Sequence, residues 1–263
     1  MSRSHSLSMA GKRIFVAGGS RGIGADVAKA LAAQGGQVLV GYATKRDSAL
    51  QVVEAIKSAS PSAPPADVVG GDLSSAKGAQ AIAEEVLAKS DGGLDVLIIA
   101  SGAFQGQPVQ QLTQENWDQH IATNITGPLF LVQALLPKLR ADGRIIFFST
   151  SLCANPVGIL PFYLPYVAAK GALEQSLRVL ARDPSITGPE RRCTVNAIAP
   201  GPVNTELFTA GKSQELIARI AAGAPQNRIP EVDEIVGPTL FLASAASAWV
   251  NGQVLRVNGG MTC

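Results

Sequence analysis

The residues best suited to chemistry lie in the stretch YLPYVAAK, residues 163–170, which holds two tyrosines and one lysine. Pro165 favours the first turn of a helix and pushes the preceding residue toward an extended shape, so a helix is predicted to begin near Pro165, with Tyr163 outside it. Tyr166 and Lys170 are four residues apart and therefore share one helix face. A nearby ammonium favours the phenolate of a tyrosine, so the pair is a candidate acid and base. The alternative is an ordinary amphipathic helix, because this spacing is common by chance.

A glycine-rich stretch, AGGSRGIG at residues 17–24, follows the first apolar run and opens the first helical stretch. Gly18, Gly22 and Gly24 let the backbone turn sharply and approach a pyrophosphate at the positive end of a helix. A turn that serves only packing is the alternative. The position between a strand and a helix favours a dinucleotide site.

The residues after the second apolar run indicate which dinucleotide is bound. That run ends at Tyr42, and no acidic residue follows to hold the hydroxyls of an adenosine ribose. Arg21 in the glycine turn, together with Thr44, Lys45 and Arg46, suits a ribose that carries a 2′-phosphate. Hydrogen bonds to charged groups contribute roughly 1.5–3 kcal/mol each, so two of them favour NADPH over NADH by about a hundredfold or more. The sequence predicts NADP(H), although Lys45 and Arg46 would also suit a plain solvated loop.

Seven short apolar runs alternate with longer stretches of helical spacing. Runs buried on both faces and separated by helices predict an α/β fold, a doubly wound parallel sheet of the Rossmann type with about seven strands and helices on both faces. The runs are 13–18, 37–42, 67–71, 94–100, 143–149, 192–199 and 253–259. We expect one dinucleotide-binding catalytic domain over residues 11–263, preceded by a flexible tail over residues 1–10.

Composition excludes several classes of function. The chain has 263 residues and a formal net charge of +2 without a basic block, so no nucleic-acid partner is expected. No stretch reaches the roughly 20 apolar residues of a membrane span, and the start of the chain does not read as a signal peptide. The three cysteines have neither metal-ligand nor pairing patterns, so no metal is expected and a cytoplasmic location is predicted.

Together these stretches resemble the short-chain dehydrogenase/reductase family, in its compact NADP-preferring branch, over essentially residues 11–260. The matching stretches, in order, are AGGSRGIG, GGDLS, ENWDQHIATNITGP, YVAAK, NAIAPGPVNT and NGQVLRVNGG. Their shared order and spacing is far more specific than any one motif.

The resemblance implies that a nicotinamide hydride moves to or from a substrate carbon while Tyr166 transfers the proton. Lys170 is then expected to hold the nicotinamide ribose and lower the pKa of Tyr166, and Asn124 to hold a water in a proton relay. The expected cofactor contacts are Gly18, Ser20, Arg21, Gly22, Ile23, Gly24, Tyr42, Thr44, Lys45, Arg46, Asp72, Leu73, Ser101, Gly102, Tyr166, Lys170, Pro200, Gly201, Val203 and Thr205.

The chain departs from the family pattern at three places. Ala17 replaces the usual threonine at the head of the glycine motif. Residues 99–102, with Ser101 and Gly102, replace the usual NNAG sequence. The carbonyl-binding serine usually lies some 13 residues before the tyrosine, whereas here Thr150 and Ser151 lie 16 and 15 residues before Tyr166. Either hydroxyl could hydrogen-bond a substrate oxygen, and the smaller insertion gives Ser151 a slight preference.

An apolar connection, LCANPVGILPFYLP at residues 152–165, needs cover from a substrate, a lid or a neighbouring subunit. Residues 204–225 either form such a lid or pack as two plain helical turns, with their apolar face formed by Leu207, Phe208, Leu216, Ile217 and Ile220. We expect the substrate to be a mainly apolar, ring-containing ketone or the corresponding secondary alcohol. Reduction of C=N or C=C bonds and cofactor binding without catalysis are the alternatives. The resemblance also implies a homotetramer or homodimer.

Overall fold

A computed structural model of the chain describes residues 6–154 and 160–262. Its seven strands form one parallel sheet in the order β3-β2-β1-β4-β5-β6-β7. The strands are β1 (Arg13–Ala17), β2 (Gln37–Tyr42), β3 (Asp67–Gly70), β4 (Leu94–Ile99), β5 (Leu139–Phe148), β6 (Thr194–Pro200) and β7 (Val254–Val257). Every run predicted as a strand is one, and the fold class is confirmed. The largest difference is at β5, which begins four residues before the predicted 143.

Helices cover both faces of the sheet. They are α1 (Gly22–Ala33), α2 (Arg46–Ala59), α3 (Ala76–Lys89), α4 (Gln114–Ile121), α5 (Gly127–Leu135), α6 (Leu164–Leu180), α7 (Pro184–Thr187), α8 (Glu206–Thr209), α9 (Gln214–Ala221) and α10 (Asp233–Ala243). A π-helical turn, Ala122–Thr126, joins α4 directly to α5. Short 3₁₀ turns at Ser151–Ala154 and Pro161–Tyr163 lie between β5 and α6.

Two apolar cores form because successive side chains of a strand point to opposite faces. Ile14 and Val16 of β1 pack with α1, α2 and α10 on one face. Phe15 and Ala17 pack with α3, α5 and α6 on the other face. The central strands therefore carry apolar side chains on both faces, and they cannot slide or flip without exposing one of the two cores.

One residue of the predicted flexible tail packs in the core. Met9 lies within the predicted flexible tail, yet its side chain is buried and its N–H donates to Gln34 O at 2.8 Å. The predicted tail therefore extends too far, because Met9 fills a gap in the core beside α1. Residues 1–5 lie outside the described part of the chain. In the residues that are described, no helix is both long and apolar enough to cross a bilayer.

The strand order creates a crevice beside β1. The chain runs from β1 outward to β2 and β3, then returns to β4 on the other side of β1. The connections that leave β1 and β4 therefore diverge at the carboxyl ends of these strands, which is where open α/β sheets bind their ligands.

Candidate active site

Almost all of the predicted site residues follow the carboxyl ends of strands. The glycine turn follows β1, Tyr42 ends β2, Asp72 follows β3, Ser101 follows β4 and Thr150 follows β5. Pro200, Gly201, Val203 and Thr205 lie at or just after the end of β6. Because the strands are parallel, the fold brings these segments to one edge of the sheet.

The glycine turn packs against the segment that follows β4. Gly18 has a φ of +79°, and a Cβ atom there would lie only 2.6 Å from the backbone nitrogen of Ser101. A Cβ on Gly24 would lie 2.2 Å from Gly18 O, so the first turn of α1 also needs glycine. Gly22 has a φ of +53°, and a Cβ atom there would make an ordinary van der Waals contact with the Thr205 methyl at 3.8 Å.

This arrangement fits a dinucleotide. Gly22 is the first residue of α1, which has no side-chain cap, so the backbone N–H groups of its first turn can attract a pyrophosphate. The Ser101 hydroxyl in the opposite wall is buried without a hydrogen-bond partner in the described structure. The glycine turn and the segment after β4, residues 17–24 with 100–102, together form a cradle. It has the close backbone packing and the polar groups that a bound nucleotide would use.

The remaining predicted cofactor residues surround this cradle. Tyr42 lies over Gly70, where a Cβ would be 2.6 Å from the phenol oxygen, and Leu73 is buried with its carbonyl against Gly127. Asp72 is exposed and accepts a hydrogen bond from Ser74 at 2.7 Å. The Thr205 hydroxyl accepts from Phe208 N at 3.2 Å and so caps α8.

The basic residues at the adenosine end are exposed. Arg21, Lys45 and Arg46 all face solvent, as does Thr44, and Lys45 precedes the first residue of α2. Within the described ranges, neither Arg21 nor Lys45 forms an ion pair. Their charges are therefore free for an anionic ligand.

The predicted tyrosine and lysine lie on α6, which begins at Leu164, one residue before the predicted start, so that Tyr163 stays outside. Lys170 is buried and its Nζ lies 5.9 Å from the centre of the Tyr166 ring. The Lys170 Nζ also donates to Phe148 O at 2.8 Å. A Cβ on Gly102 would lie 3.0 Å from Asn124 Oδ1 and 3.4 Å from Lys170 Nζ, so these groups meet in one place.

Three consecutive hydroxyls after β5 point to three different partners. Ser149 donates to Glu174 Oε1 at 2.7 Å, and Ser151 donates to Ala199 O at 3.0 Å. Only the Thr150 side chain is hydrogen-bonded to Tyr166. Of the two candidate hydroxyls, Thr150 is thus the one beside Tyr166, whereas Ser151 lies in a 3₁₀ turn and its hydroxyl is directed toward β6.

The titration behaviour differs from the sequence-based expectation. Burial raises the pKa of Tyr166 above its ordinary value of 10.0, the Cys153 thiolate acts in the same direction, and the hydrogen bond with Thr150 opposes them. Burial also lowers the pKa of Lys170 from 10.5 to about 8. The expected lowering of the Tyr166 pKa by Lys170 is therefore absent. The reason is that burial disfavours the charged form of both groups.

An aromatic cluster around Tyr166 was not foreseen. The Phe104 ring lies 5.1 Å from the Tyr166 ring in an edge-to-face arrangement and 5.5 Å from the Tyr163 ring. Phe162 stacks at 4.2 Å on Tyr163. Phe104 follows β4 in a segment that lacks regular structure, so neither period 2 nor period 3.6 marked it. The Phe and Tyr content of FYLPY was the only signal in the sequence.

The segment predicted as a lid contains α8 and α9. Phe208, Ile217 and Ala221 line a cavity of about 350 Å³ between them, while Leu216 is exposed. The centre of the apolar connection, residues 155–159, and the side chain of Leu207 lie outside the described part of the structure.

The comparisons with known proteins agree with this geometry. A family model described as enoyl-(acyl carrier protein) reductase matches residues 17–262. A short-chain type dehydrogenase/reductase of Picea abies is 32% identical, with 96% of this chain and 93% of that protein covered. The chain belongs to the short-chain dehydrogenase/reductase family.

Other members of the family are similar over nearly the whole chain. The hydroxynaphthalene reductase-like protein Arp2 of Metarhizium brunneum is 33% identical, with 96% of each chain covered. The crystal structure of the angucycline C-6 ketoreductase LanV with bound NADP has a TM-score of 0.87 at 30% identity, and the match covers 97% of this chain and 96% of LanV. This short-chain dehydrogenase/reductase is therefore an oxidoreductase whose relatives include reductases of carbonyl compounds.

Proposed function

We propose that the protein reduces a ketone of a mainly apolar, ring-containing small molecule to a secondary alcohol with NADPH, or catalyses the reverse reaction. One observation carries this proposal. The Tyr166 phenol is hydrogen-bonded to the Thr150 side chain, and the Lys170 Nζ lies 5.9 Å from the Tyr166 ring and next to Gly102. Phe104 packs edge to face on Tyr166, and its ring also contacts those of Phe162 and Tyr163.

Each group has a defined task. When bound, NADPH supplies the hydride that forms the new C–H bond at the carbonyl carbon. The Thr150 hydroxyl donates a hydrogen bond to the carbonyl oxygen as negative charge develops there. Tyr166 transfers its proton to that oxygen, and the buried Lys170, whose Nζ lies 5.9 Å from the Tyr166 ring, would hold the nicotinamide ribose. The raised pKa of Tyr166 keeps the phenol protonated at neutral pH, which suits a proton donor in the direction of reduction.

The positions of the predicted cofactor residues around the glycine turn suggest which part of NADPH each would hold. Gly18, Ser20, Gly22, Ile23 and Gly24 would hold the pyrophosphate at the start of α1. Arg21, Thr44, Lys45 and Arg46 would hold the 2′-phosphate, which is supported by the free charges of Arg21 and Lys45 and by the NADP bound to LanV. Tyr42, Asp72 and Leu73 would line the adenosine end. Pro200, Gly201, Val203 and Thr205 would line the nicotinamide end, with Ser101, Gly102 and Lys170 on the opposite wall.

The aromatic cluster supports a ring-containing substrate. Aromatic rings at centroid distances of 4.5–7 Å attract each other beyond the effect of buried area, so a flat apolar substrate finds partners in Phe104, Phe162 and Tyr163. Two similar proteins, a hydroxynaphthalene reductase-like protein and an angucycline ketoreductase, are both named for ring-containing substrates, which supports the same class of substrate.

A panel of ketones tests the proposal. NADPH consumption is measured with aromatic, alicyclic and short aliphatic ketones, and each is repeated with NADH at the same low concentration. We expect the highest kcat/KM with ring ketones and NADPH. The double variant Lys45→Ala/Arg46→Ala should lose most of the preference for NADPH while turnover at saturating cofactor is retained. Turnover of small charged ketones alone, or equal use of NADH by the unaltered protein, would contradict the proposal.

A second candidate is reduction of a C=C bond, which the description of the matching family model favours. Enones are therefore included in the panel, and the product is identified as a saturated ketone or an allylic alcohol. The cytoplasmic location and the homotetramer or homodimer stay predictions, and sedimentation tests the assembly state.

A further inference from the structure

The segment that carries Phe104 has an unusual anchor. Residues 103–105 form no strand, yet the backbone groups of Ala103 and Gln105 are hydrogen-bonded to side chains of the helix that runs from α4 into the π-helical turn. Ala103 N donates to Asn124 Oδ1 at 3.3 Å, and Asn124 Nδ2 donates to Ala103 O at 3.1 Å. Gln105 N donates to His120 Nε2 at 3.2 Å, and Asn116 Nδ2 donates to Gln105 O at 3.0 Å.

The three anchoring side chains recur at every fourth position. Asn116, His120 and Asn124 are all buried, with exposures of 4%, 0% and 0%, so water does not compete for these bonds. Between the two anchored residues lies Phe104, which is 40% exposed and meets Tyr166 edge to face. The helix therefore fixes the backbone on both sides of the ring that borders the candidate proton donor.

The hydrogen bonds of His120 define its protonation. Nδ1 lies 2.8 Å from the carbonyl oxygen of Asn116, and a carbonyl only accepts, so Nδ1 carries the proton. The unprotonated Nε2 is then the acceptor for Gln105 N–H. An apolar residue in place of His120 would leave that N–H without this partner.

We infer that His120, together with Asn116, is a positioning residue for substrate selection. By holding Gln105 it keeps the Phe104 ring against Tyr166, so that a flat ring substrate meets a preformed aromatic surface. The inference rests on the proposed function for its substrate class. The hydrogen bonds that hold the Gln105 backbone do not depend on any substrate.

Two variants of similar shape distinguish loss of the hydrogen bond to Gln105 from a general loss of stability. In His120→Gln, the amide oxygen stands near the position of Nε2 and can still accept from Gln105 N–H. In His120→Asn, the shorter amide can replace Nδ1 but cannot reach Gln105. Melting temperatures of both variants are compared first, so that a general loss of stability is recognised.

The first readout needs no turnover. Hydrogen exchange of the Gln105 amide should be about tenfold faster in His120→Asn, which corresponds to one lost hydrogen bond, and close to the unaltered rate in His120→Gln. Equal exchange in all three proteins would overturn the inference. If His120→Asn does not fold, Asn116→Ala is measured in the same way, because it removes only the bond to Gln105 O.

The second readout is selectivity. In His120→Asn, KM for a bicyclic aromatic ketone should rise about tenfold with kcat within about twofold, whereas kcat/KM for a short aliphatic ketone should fall less than about twofold. His120→Gln should restore the selectivity. An equal loss with both ketones would overturn the selective role. If the unaltered protein reduces no ketone, the proposed function fails, and exchange at Gln105 still decides whether His120 positions this segment.

Discussion

Two walls of the candidate site are built in different ways. The cofactor wall, residues 18–24 with 100–102, is held by backbone contacts so close that only glycine fits at Gly18 and Gly24. The substrate wall, residues 103–105 with Phe162 and Tyr163, is held by side-chain hydrogen bonds from Asn116 and His120 and by ring contacts. A change in the first wall should therefore impair folding and cofactor binding together. A change in the second should alter selectivity while the fold is kept.

Tyr166 stands between the two walls, and its removal should have the largest effect. Tyr166→Phe keeps the ring in contact with Phe104 but loses the proton donor, so kcat for ketone reduction should fall by about 10²- to 10⁴-fold. The Kd of NADPH, measured by calorimetry, should change less than about threefold. Retained ketone reduction would remove Tyr166 from its role, and retained enone reduction alone would favour the C=C alternative.

The pair of hydroxyls after β5 provides a matched comparison. Thr150→Ala should lower kcat by about 10²-fold because it removes a donor to the developing oxyanion. Ser151→Ala removes the bond to Ala199 O and should lower the free energy of unfolding by about 1 kcal/mol with little change in kcat. The opposite ranking in steady-state kinetics would restore Ser151 as the carbonyl-binding residue.

Gly18 tests the backbone contact of the cofactor wall. In Gly18→Ala the new methyl meets the backbone at Ser101, so we expect the free energy of unfolding to fall by about 1–3 kcal/mol and the Kd of NADPH to rise about tenfold. Gly11→Ala is the control, because Gly11 has a similar φ of +72° but no atom within 4 Å of its Cβ position. Equal losses in the two variants would mean that backbone conformation alone, without the contact, explains the effect.

The smallest predicted effect is a pH dependence from Lys170. Its pKa is lowered to about 8, so the ammonium is present below that pH and is lost as the pH rises through it. We expect kcat/KM for NADPH, which reports the free enzyme, to decrease above pH 8 by up to about tenfold per unit. Lys170→Arg keeps its charge and should therefore move this decrease in kcat/KM to higher pH. If the decrease occurs at the same pH in Lys170→Arg, a group other than Lys170 causes it.

Periodicity and turn chemistry predicted the sheet well. Each of the seven apolar runs is a strand, and the glycine turn lies where the sequence puts it, because both depend on local patterns. The start of α6 was predicted to within one residue from Pro165 alone. Met9 was misjudged, since a short polar tail gives no sign that one apolar side chain fills a gap beside α1.

The contacts within the site were harder to predict because they depend on directions of side chains in irregular segments. Spacing could not distinguish Thr150 from Ser151, since a single 3₁₀ turn after β5 decides which hydroxyl meets Tyr166. The four-residue spacing of Asn116, His120 and Asn124 is visible in the sequence and predicts that the three polar side chains share one helix face. The sequence does not show that these side chains hydrogen-bond to the backbone of residues 103–105.

The position of a transferred deuterium in the product shows directly whether hydride from NADPH reaches a carbonyl carbon. The protein is incubated with a ring ketone and NADPH that carries deuterium at the transferred position of nicotinamide C4, and the product is analysed by mass spectrometry and NMR. We expect the unaltered protein to form an alcohol with one deuterium on the carbinol carbon, and Tyr166→Phe to form none. Deuterium on any other carbon, or an alcohol that takes that hydrogen from solvent, would contradict this expectation.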